Sequence, residues 1–272
     1  MASVQTPAII LKVQTLGEAD CLVTFLTPER GRLQGVAKHA RKSRRRFANV
    51  LEPLNRVELW LSGRPRKELE FLEKGELVRA FPGLRRDLPR LAAAAVLAEL
   101  TGELAAPEGA PALFAALEEA LARLEEGAAP MSLLLASAAH LLKLGGYGWR
   151  LAECLACGRE PQGPALFSIP QGGVYCDGCK GKAAGPVVAL NPGARKLLVA
   201  AQSLSADRLS RLVFPPRQAA QCLELLREFL RYHLPRPLLA WEFFDQVRGR
   251  AEGSGTALLR QKNTTATSQE GQ

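Results

Sequence analysis

Histidine is scarce in this sequence, which holds only three, His39, His140 and His233. They lie far apart along the chain, and none stands in an H-x-E pattern. Catalytic zinc ions usually have histidine ligands, an open water position and a nearby acid or base. The shortage of histidine therefore argues against a zinc-dependent hydrolase or deaminase. We expect His140, which lies in an apolar helical segment, to be a core residue with its hydrogen bonds satisfied.

The motifs of nucleotide binding and of serine catalysis are also missing. The sequence contains no G-x-x-x-x-G-K-[ST] loop, no G-x-G-x-x-G and no G-x-S-x-G. Its acidic residues do not gather into a cluster that would hold catalytic metal ions. We therefore expect a protein that is not an enzyme and does not hydrolyse ATP.

Long apolar runs are absent as well. The longest, LAAAAVLA at 91–98, is far shorter than the roughly 18 residues of a membrane helix. The first residues, MASVQTPAII, lack the pattern of a secretory signal. Six cysteines are too few for a secreted disulfide scaffold of this length. We expect a cytoplasmic protein that has no membrane partner.

Basic charge is abundant, and the chain has a formal net charge of +9. Six Lys or Arg residues fall within nine positions, with no acid among them: Lys38, Arg41, Lys42, Arg44, Arg45 and Arg46. Such a run is often only a solvated loop or a localisation signal. Here it interrupts strand-like sequence, and it is mostly arginine, which pairs with phosphate and stacks on bases. We predict that these six residues bind DNA.

The pattern before residue 80 is β. Five short strand candidates with turn signals between them predict a small closed barrel such as an OB-fold, with an SH3-like barrel as the alternative: 8–14, 21–27, 31–37, 55–61 and 67–73. In the fourth strand, alternation places Val57, Leu59 and Leu61 on one face. Trp60 lies on the other, where we favour packing against the helical domain over stacking on a base. Phe47 is a second candidate for base stacking.

From residue 82 the apolar spacing becomes helical. Helices are predicted over 88–105, 111–126, 130–146, 191–204, 215–234 and 237–247. The fold class is therefore α+β, an N-terminal five-stranded OB-fold barrel followed by an α-helical domain. We place the barrel at 1–80, the helical domain at 81–248 and a disordered tail at 249–272.

The helical domain carries an insertion with two cysteine pairs. Cys154 and Cys157, then Cys176 and Cys179, form C-x2-C motifs separated by 18 residues, a spacing typical of zinc sites. Two such turns complete a tetrahedron of thiolates, so we predict one structural Zn²⁺ in a module at about 150–185, with a hairpin between the pairs. A catalytic zinc and two redox pairs are the less favoured interpretations. Cys21 and Cys222 lie on apolar faces and are predicted core residues.

The order of these segments resembles the RecO family of bacterial recombinational-repair mediators. The similarity runs from about residue 4 to 247, through AIILKVQTLGEADCLVTFLTPERGRLQGVAKHARKSRRRFANVLEPLNRVEL, FPGLRRDLPRLAAAAVLAEL, LLKLGGYGW, CLACG and FSIPQGGVYCDGC. AKHARK and LGGYGW depart from the family pattern at single positions, and the C-terminal tail has no counterpart.

The resemblance implies binding of single- and double-stranded DNA and ATP-independent annealing of complementary strands. It also implies two protein partners, RecR and the single-stranded-DNA-binding protein, whose coated DNA would then accept the recombinase. One rival hypothesis is a zinc-containing enzyme that processes nucleic acid. Another is a scaffold whose basic run binds an acidic protein tail.

Overall fold

The computed structural model describes residues 3–43, 45–62 and 69–250. The predicted DNA-binding residue Arg44 lies outside this range, and so does the predicted disordered tail from residue 251 onward. Residues 249 and 250, which we had assigned to the tail, belong to a helix.

A closed barrel forms the N-terminal region. Its strands are β1 (Val4–Leu16), β2 (Asp20–Thr27), β3 (Gly31–Ala37), β4 (Arg56–Leu61) and β5 (Glu70–Arg79). They follow the order β1-β2-β3-β5-β4 around the barrel. Only β3 and β5 pair in parallel, and β1 closes the barrel against β4. The predicted five-stranded barrel of OB type is confirmed.

Alternation of apolar residues explains which side chains fill the barrel. Val57, Leu59 and Leu61 of β4 are buried in its core, whereas the residues between them face outward. The first two residues of the predicted fifth strand, 67 and 68, lie outside the described residues. The strand runs on to Arg79, beyond its predicted end at residue 73, because Leu77 and Arg79 continue the pairing with β4. Residues 74–79 include charged side chains and a glycine, a composition typical of turns, and so the sequence did not reveal their pairing with β4.

Helices make up most of the second region. They are α1 (Pro82–Arg86), α2 (Leu88–Leu104), α3 (Pro111–Glu125), α4 (Pro130–Leu144), α5 (Pro192–Ser203), α6 (Pro216–His233) and α7 (240–250). Each of α1 to α6 has proline in its first turn, where the ring costs no intrahelical hydrogen bond. The apolar α4 is buried along most of its length, as its composition predicts. The short α1 was missed.

The barrel and the helices share one apolar cluster. Ile9, Leu26 and Leu54 of the barrel region pack with the buried faces of the helices. The turn between β2 and β3 meets the segment that follows α2, where Ala110 N–H donates to the Pro28 carbonyl at 2.8 Å. Arg56 forms an ion pair with Glu118 of α3 at 3.3 Å.

The cysteine module lies between α4 and α5. Its sheet has the order β7-β6-β8, made of β6 (Ala165–Ser168), β7 (Gly173–Cys176) and β8 (Val187–Leu190). The predicted hairpin is confirmed as β6 and β7, whereas β8 was not predicted. Within the ranges described, no helix has the length and apolarity needed to cross a bilayer.

Candidate nucleic-acid interface and metal centre

Four cysteine side chains meet at one point of the inserted module. The sulfur atoms of Cys154, Cys157, Cys176 and Cys179 all lie within 4.8 Å of one another. The first pair lies at a turn between α4 and β6, with Cys154 ten residues beyond the end of α4. Cys176 is the last residue of β7, and Cys179 follows it. The short β6–β7 hairpin therefore brings together two pairs that are 18 residues apart in sequence.

The spacing of the sulfur atoms fits a tetrahedral ion. Cys157 Sγ and Cys176 Sγ are 3.9 Å apart. A Zn–S bond is about 2.3 Å long, which places the sulfurs of a regular tetrahedron about 3.8 Å apart. All four are free thiols rather than disulfides. The four donors are all sulfur, which is the donor set typical of structural zinc sites.

The protein favours the thiolate form of one cysteine of this cluster, Cys154. Burial opposes ionisation of Cys154, but hydrogen bonds from the backbone N–H groups of Cys176, Cys157 and Ala156 lower its pKa to about 6. At Cys179 the neighbouring Cys176 side chain, followed by burial, raises the pKa to about 12. Four thiols this close cannot all ionise unless a cation neutralises them.

The basic run forms an exposed loop at the end of β3, with a short turn of 3-10 helix at Ala40–Lys42. We name it the basic loop, residues 38–46. Its described cationic side chains are all exposed: Lys38, Arg41, Lys42, Arg45 and Arg46. Within the part of the chain that the structure describes, none of these five forms a salt bridge. The loop therefore presents uncompensated positive charge to solvent.

Hydrogen bonds fix the course of this loop. His39 adopts a left-handed conformation, φ 55°, and its N–H donates to Asp20 Oδ1 at 2.7 Å. Arg41 Nη1 donates to the Glu18 carbonyl at 3.2 Å, and Arg46 Nη2 donates to the Lys38 carbonyl at 2.8 Å. Two of the predicted DNA-binding arginines therefore also hold the loop in place.

The prediction that Phe47 is a candidate for stacking on bases is wrong. Phe47 is only 4% exposed and packs with Val50 in the apolar cluster of the barrel. The chain after the basic loop thus covers one end of the barrel instead of offering a ring to bases. Arg46 lies over this ring, with its guanidinium carbon 5.5 Å from the ring centroid.

Trp60 lies on the outer wall of the barrel, half buried. It belongs to neither apolar cluster, so the favoured prediction that it packs between the barrel and the helices is not supported. Instead, Lys74 Nζ of β5 lies 3.7 Å from the ring centroid. The two lone cysteines, Cys21 and Cys222, are buried as predicted.

His140 is half buried on α4, and its Nδ1 has no hydrogen-bond partner among the described residues. Burial lowers its pKa. The expectation of a satisfied core histidine is therefore wrong, because His140 belongs to neither apolar cluster and one ring nitrogen has no partner among the described residues.

Comparison with known proteins is decisive for the family. The N-terminal model of recombination protein O matches residues 1–81, and its C-terminal model matches residues 85–242. The chain belongs to the RecO family. Its role is in DNA repair by recombination, and the strand order and cysteine module described above are therefore features of a member of that family.

Individual relatives agree over nearly their whole length. Proteins named DNA repair protein RecO are 32% identical over 251 residues in Syntrophus aciditrophicus and 37% identical over 248 residues in an Anaeromyxobacter species. A third, in Myxococcus xanthus, is 36% identical over 244 residues. These alignments cover 88–91% of this chain and 94–97% of the relatives.

Proposed function

We propose that this protein binds single- and double-stranded DNA through the basic loop and anneals complementary strands without ATP. It would thereby help recombinase to load on DNA coated by the single-stranded-DNA-binding protein. The observation that carries the proposal is the basic loop itself. It presents five described cations on the barrel with no carboxylate partner among the described residues.

Phosphate provides the missing countercharge. Each Lys or Arg that meets a phosphate releases condensed counterions, so binding is favourable and independent of sequence. Arg41 and Arg46 use one nitrogen each on a backbone carbonyl and keep other N–H groups for phosphate. Lys42 and Arg45 make no such contact with the described residues, and we assign them the most direct role.

Annealing follows from the same charge. Two strands repel each other through their backbones, and a surface that neutralises both lets their bases meet. No nucleotide hydrolysis is needed for this step, and the sequence carries no phosphate-binding loop to support it. We therefore assign no enzymatic activity.

The partners and the metal belong to the same proposal. RecR and the single-stranded-DNA-binding protein are the partners implied by the family resemblance, and the protein would act at the nucleoid in the cytoplasm. The four cysteines would hold one Zn²⁺ that stabilises the module. Their all-sulfur donor set argues against the rival zinc enzyme, which needs an open coordination position.

A salt titration tests the proposal. The double variant Lys42→Ala/Arg45→Ala should weaken binding to single strands of any sequence. The slope of log K against log salt should fall by about 1.4, or 0.7 for each phosphate contact. Annealing should slow in parallel, while the melting temperature stays near that of the wild type. The control Arg208→Ala/Arg211→Ala removes the same charge from the helical domain. Equal slopes in both variants would refute the role of the loop.

A further inference from the structure

Two aromatic side chains face outward from neighbouring strands of the barrel. Phe71 lies between Glu70 and the core residue Leu72 on β5, and Trp60 lies between two core residues on β4. Because side chains alternate along a strand, both rings point to the outer wall. Lys74 of β5 pairs directly with Trp60, and Leu72 pairs with Leu61, so β5 has one extra residue, a β-bulge, between these two pairs. The bulge places Lys74 on the same face as Phe71, although the two are three residues apart.

A lysine lies over each ring. Lys38 Nζ is 5.7 Å from the centroid of Phe71, and Lys74 Nζ is 3.7 Å from that of Trp60. Lys74 also pairs with Glu76 at 3.2 Å, and both of these side chains are largely exposed. Exposed contacts of this kind are weak, so a ligand that brings its own ring and its own anion can replace them.

The basic loop is attached to this same wall at both ends. Lys38, its first residue, covers Phe71. At its other end the Arg46 carbonyl accepts a hydrogen bond from Gly75 N–H of β5 at 2.9 Å. The Arg46 guanidinium then joins the two ends through the Lys38 carbonyl. The rings and the cations therefore form one continuous surface across β3, β5 and β4.

We propose that Trp60 and Phe71 are a stacking platform for the bases of single-stranded nucleic acid whose phosphates lie on the basic loop. This inference rests on the proposed function and adds a second, base-dependent part to the site. On binding, each lysine would leave its ring and turn to a phosphate, while a base takes its place. Every base has a π-face, so the platform holds any sequence.

The acidic residues on this wall determine how a bound nucleic-acid strand lies across it. Glu76 of β5 and Glu58 of β4 lie on the Trp60 side, and their pairing cations are Lys74 and Arg56. The opposite side, at the end of β3, carries the described cations of the basic loop, which have no carboxylate partner within the described ranges. Phosphates therefore favour the loop side, and the bases extend over β5 toward Trp60.

The platform would distinguish single strands from duplexes, which charge alone does not do. Bases in a duplex are already stacked and cannot reach the rings, so only single strands would use them. Stacking also occupies the faces of the bases and leaves their pairing edges accessible to a complementary strand. A strand held in this way is ready to anneal.

The test compares two probes of equal charge, a thymidine oligonucleotide and an abasic oligonucleotide of the same length. The wild type should bind the thymidine strand more tightly. Trp60→Leu and Phe71→Leu should each reduce that preference by roughly five- to a hundredfold, with the salt slope unchanged. The control Tyr232→Leu removes an exposed aromatic side chain from α6 and should keep the full preference. Thermal melting verifies that each variant is folded.

Tryptophan fluorescence gives a second readout that a structural role would not change. Binding of the thymidine strand should quench the wild type, and Trp60→Phe should bind well but lose most of the quenching. An unchanged preference in folded Trp60→Leu and Phe71→Leu would overturn the platform alone. Lys42→Ala/Arg45→Ala should behave oppositely, with a lower salt slope and the preference retained. A wild type that binds neither probe would overturn the proposed function, and the platform with it.

Discussion

The Arg195 guanidinium of α5 forms a hydrogen-bonded clamp on the backbone at Leu151, just before the first cysteine pair. Arg195 is 2% exposed, and its Nη1 donates to the carbonyls of Leu151 at 3.1 Å and Ala152 at 3.3 Å. Its Nη2 donates to Pro161 O at 2.9 Å and to Glu160 Oε1 at 3.1 Å. One guanidinium thus ties both ends of the loop that carries Cys154 and Cys157.

Removing this clamp should loosen the metal site. Arg195→Met leaves three carbonyls without this donor, and an unsatisfied buried acceptor costs about 1–3 kcal/mol of stability. Zinc affinity should fall about 10- to 100-fold, measured by competition with a coloured chelator. Arg195→Lys should be nearly as damaging, because an ammonium cannot reproduce the fork of the guanidinium. The exposed neighbour Lys196 is the control, and a Lys196→Met protein that lost as much affinity would contradict the clamp.

The cysteines themselves should be required for metal and for local folding. Cys154→Ser or Cys176→Ser should reduce bound zinc from one equivalent to a small fraction, since a structural site contributes its binding energy to folding. Metal analysis and thermal melting measure both effects. DNA binding should survive in part because the barrel is separate from the module. The control variant Cys21→Ala, with its change in the barrel, should bind as much zinc as the wild type. If metal-free protein melted like the wild type, a structural role for the zinc would be refuted.

The sequence predicted elements whose signals are local. The cysteine spacing and the alternation in β4 need only a few residues, and they correctly predicted that the four cysteines meet and which face of β4 is buried. Phe47 was misjudged because its burial depends on how the chain crosses the end of the barrel, which no local pattern records. Arg195 was missed for a similar reason, since its acceptors lie 34–44 residues away. Phe71 was passed over because its outward face follows from the register of β5 against β3 and β4.

A buried ring nitrogen makes His140 a source of pH-dependent stability. Burial lowers its pKa in the folded protein, and the charge of Lys143 adds to the effect, opposed by a hydrogen bond with the backbone of Ala201. The unfolded chain, with a pKa near 6.5, therefore binds the proton more readily. As the pH falls below about 6.5, protonation favours unfolding. His140→Gln should lose less stability than the wild type between pH 7 and pH 5, measured by urea denaturation. Parallel curves would contradict this assignment.

The joint between the barrel and the helices should depend on the absence of a side chain at Gly31. Gly31 has φ +58°, and a Cβ there would lie 2.0 Å from the Ala106 carbonyl oxygen. Gly31→Ala must therefore strain the backbone and also push the β2–β3 turn away from the segment after α2. Gly17 provides a matched control, because it has φ +62° with nothing within 4 Å of an added Cβ.

The left-handed strain alone costs about 1–2 kcal/mol, and Gly17→Ala should lose that much free energy of unfolding. Gly31→Ala should lose at least about 2 kcal/mol more, since the obstacle is backbone and cannot rotate away. Urea denaturation of both variants isolates the contribution of the contact as the difference between them. Equal losses would mean that the turn and the helical segment move apart freely, and that Gly31 is needed only for its conformation.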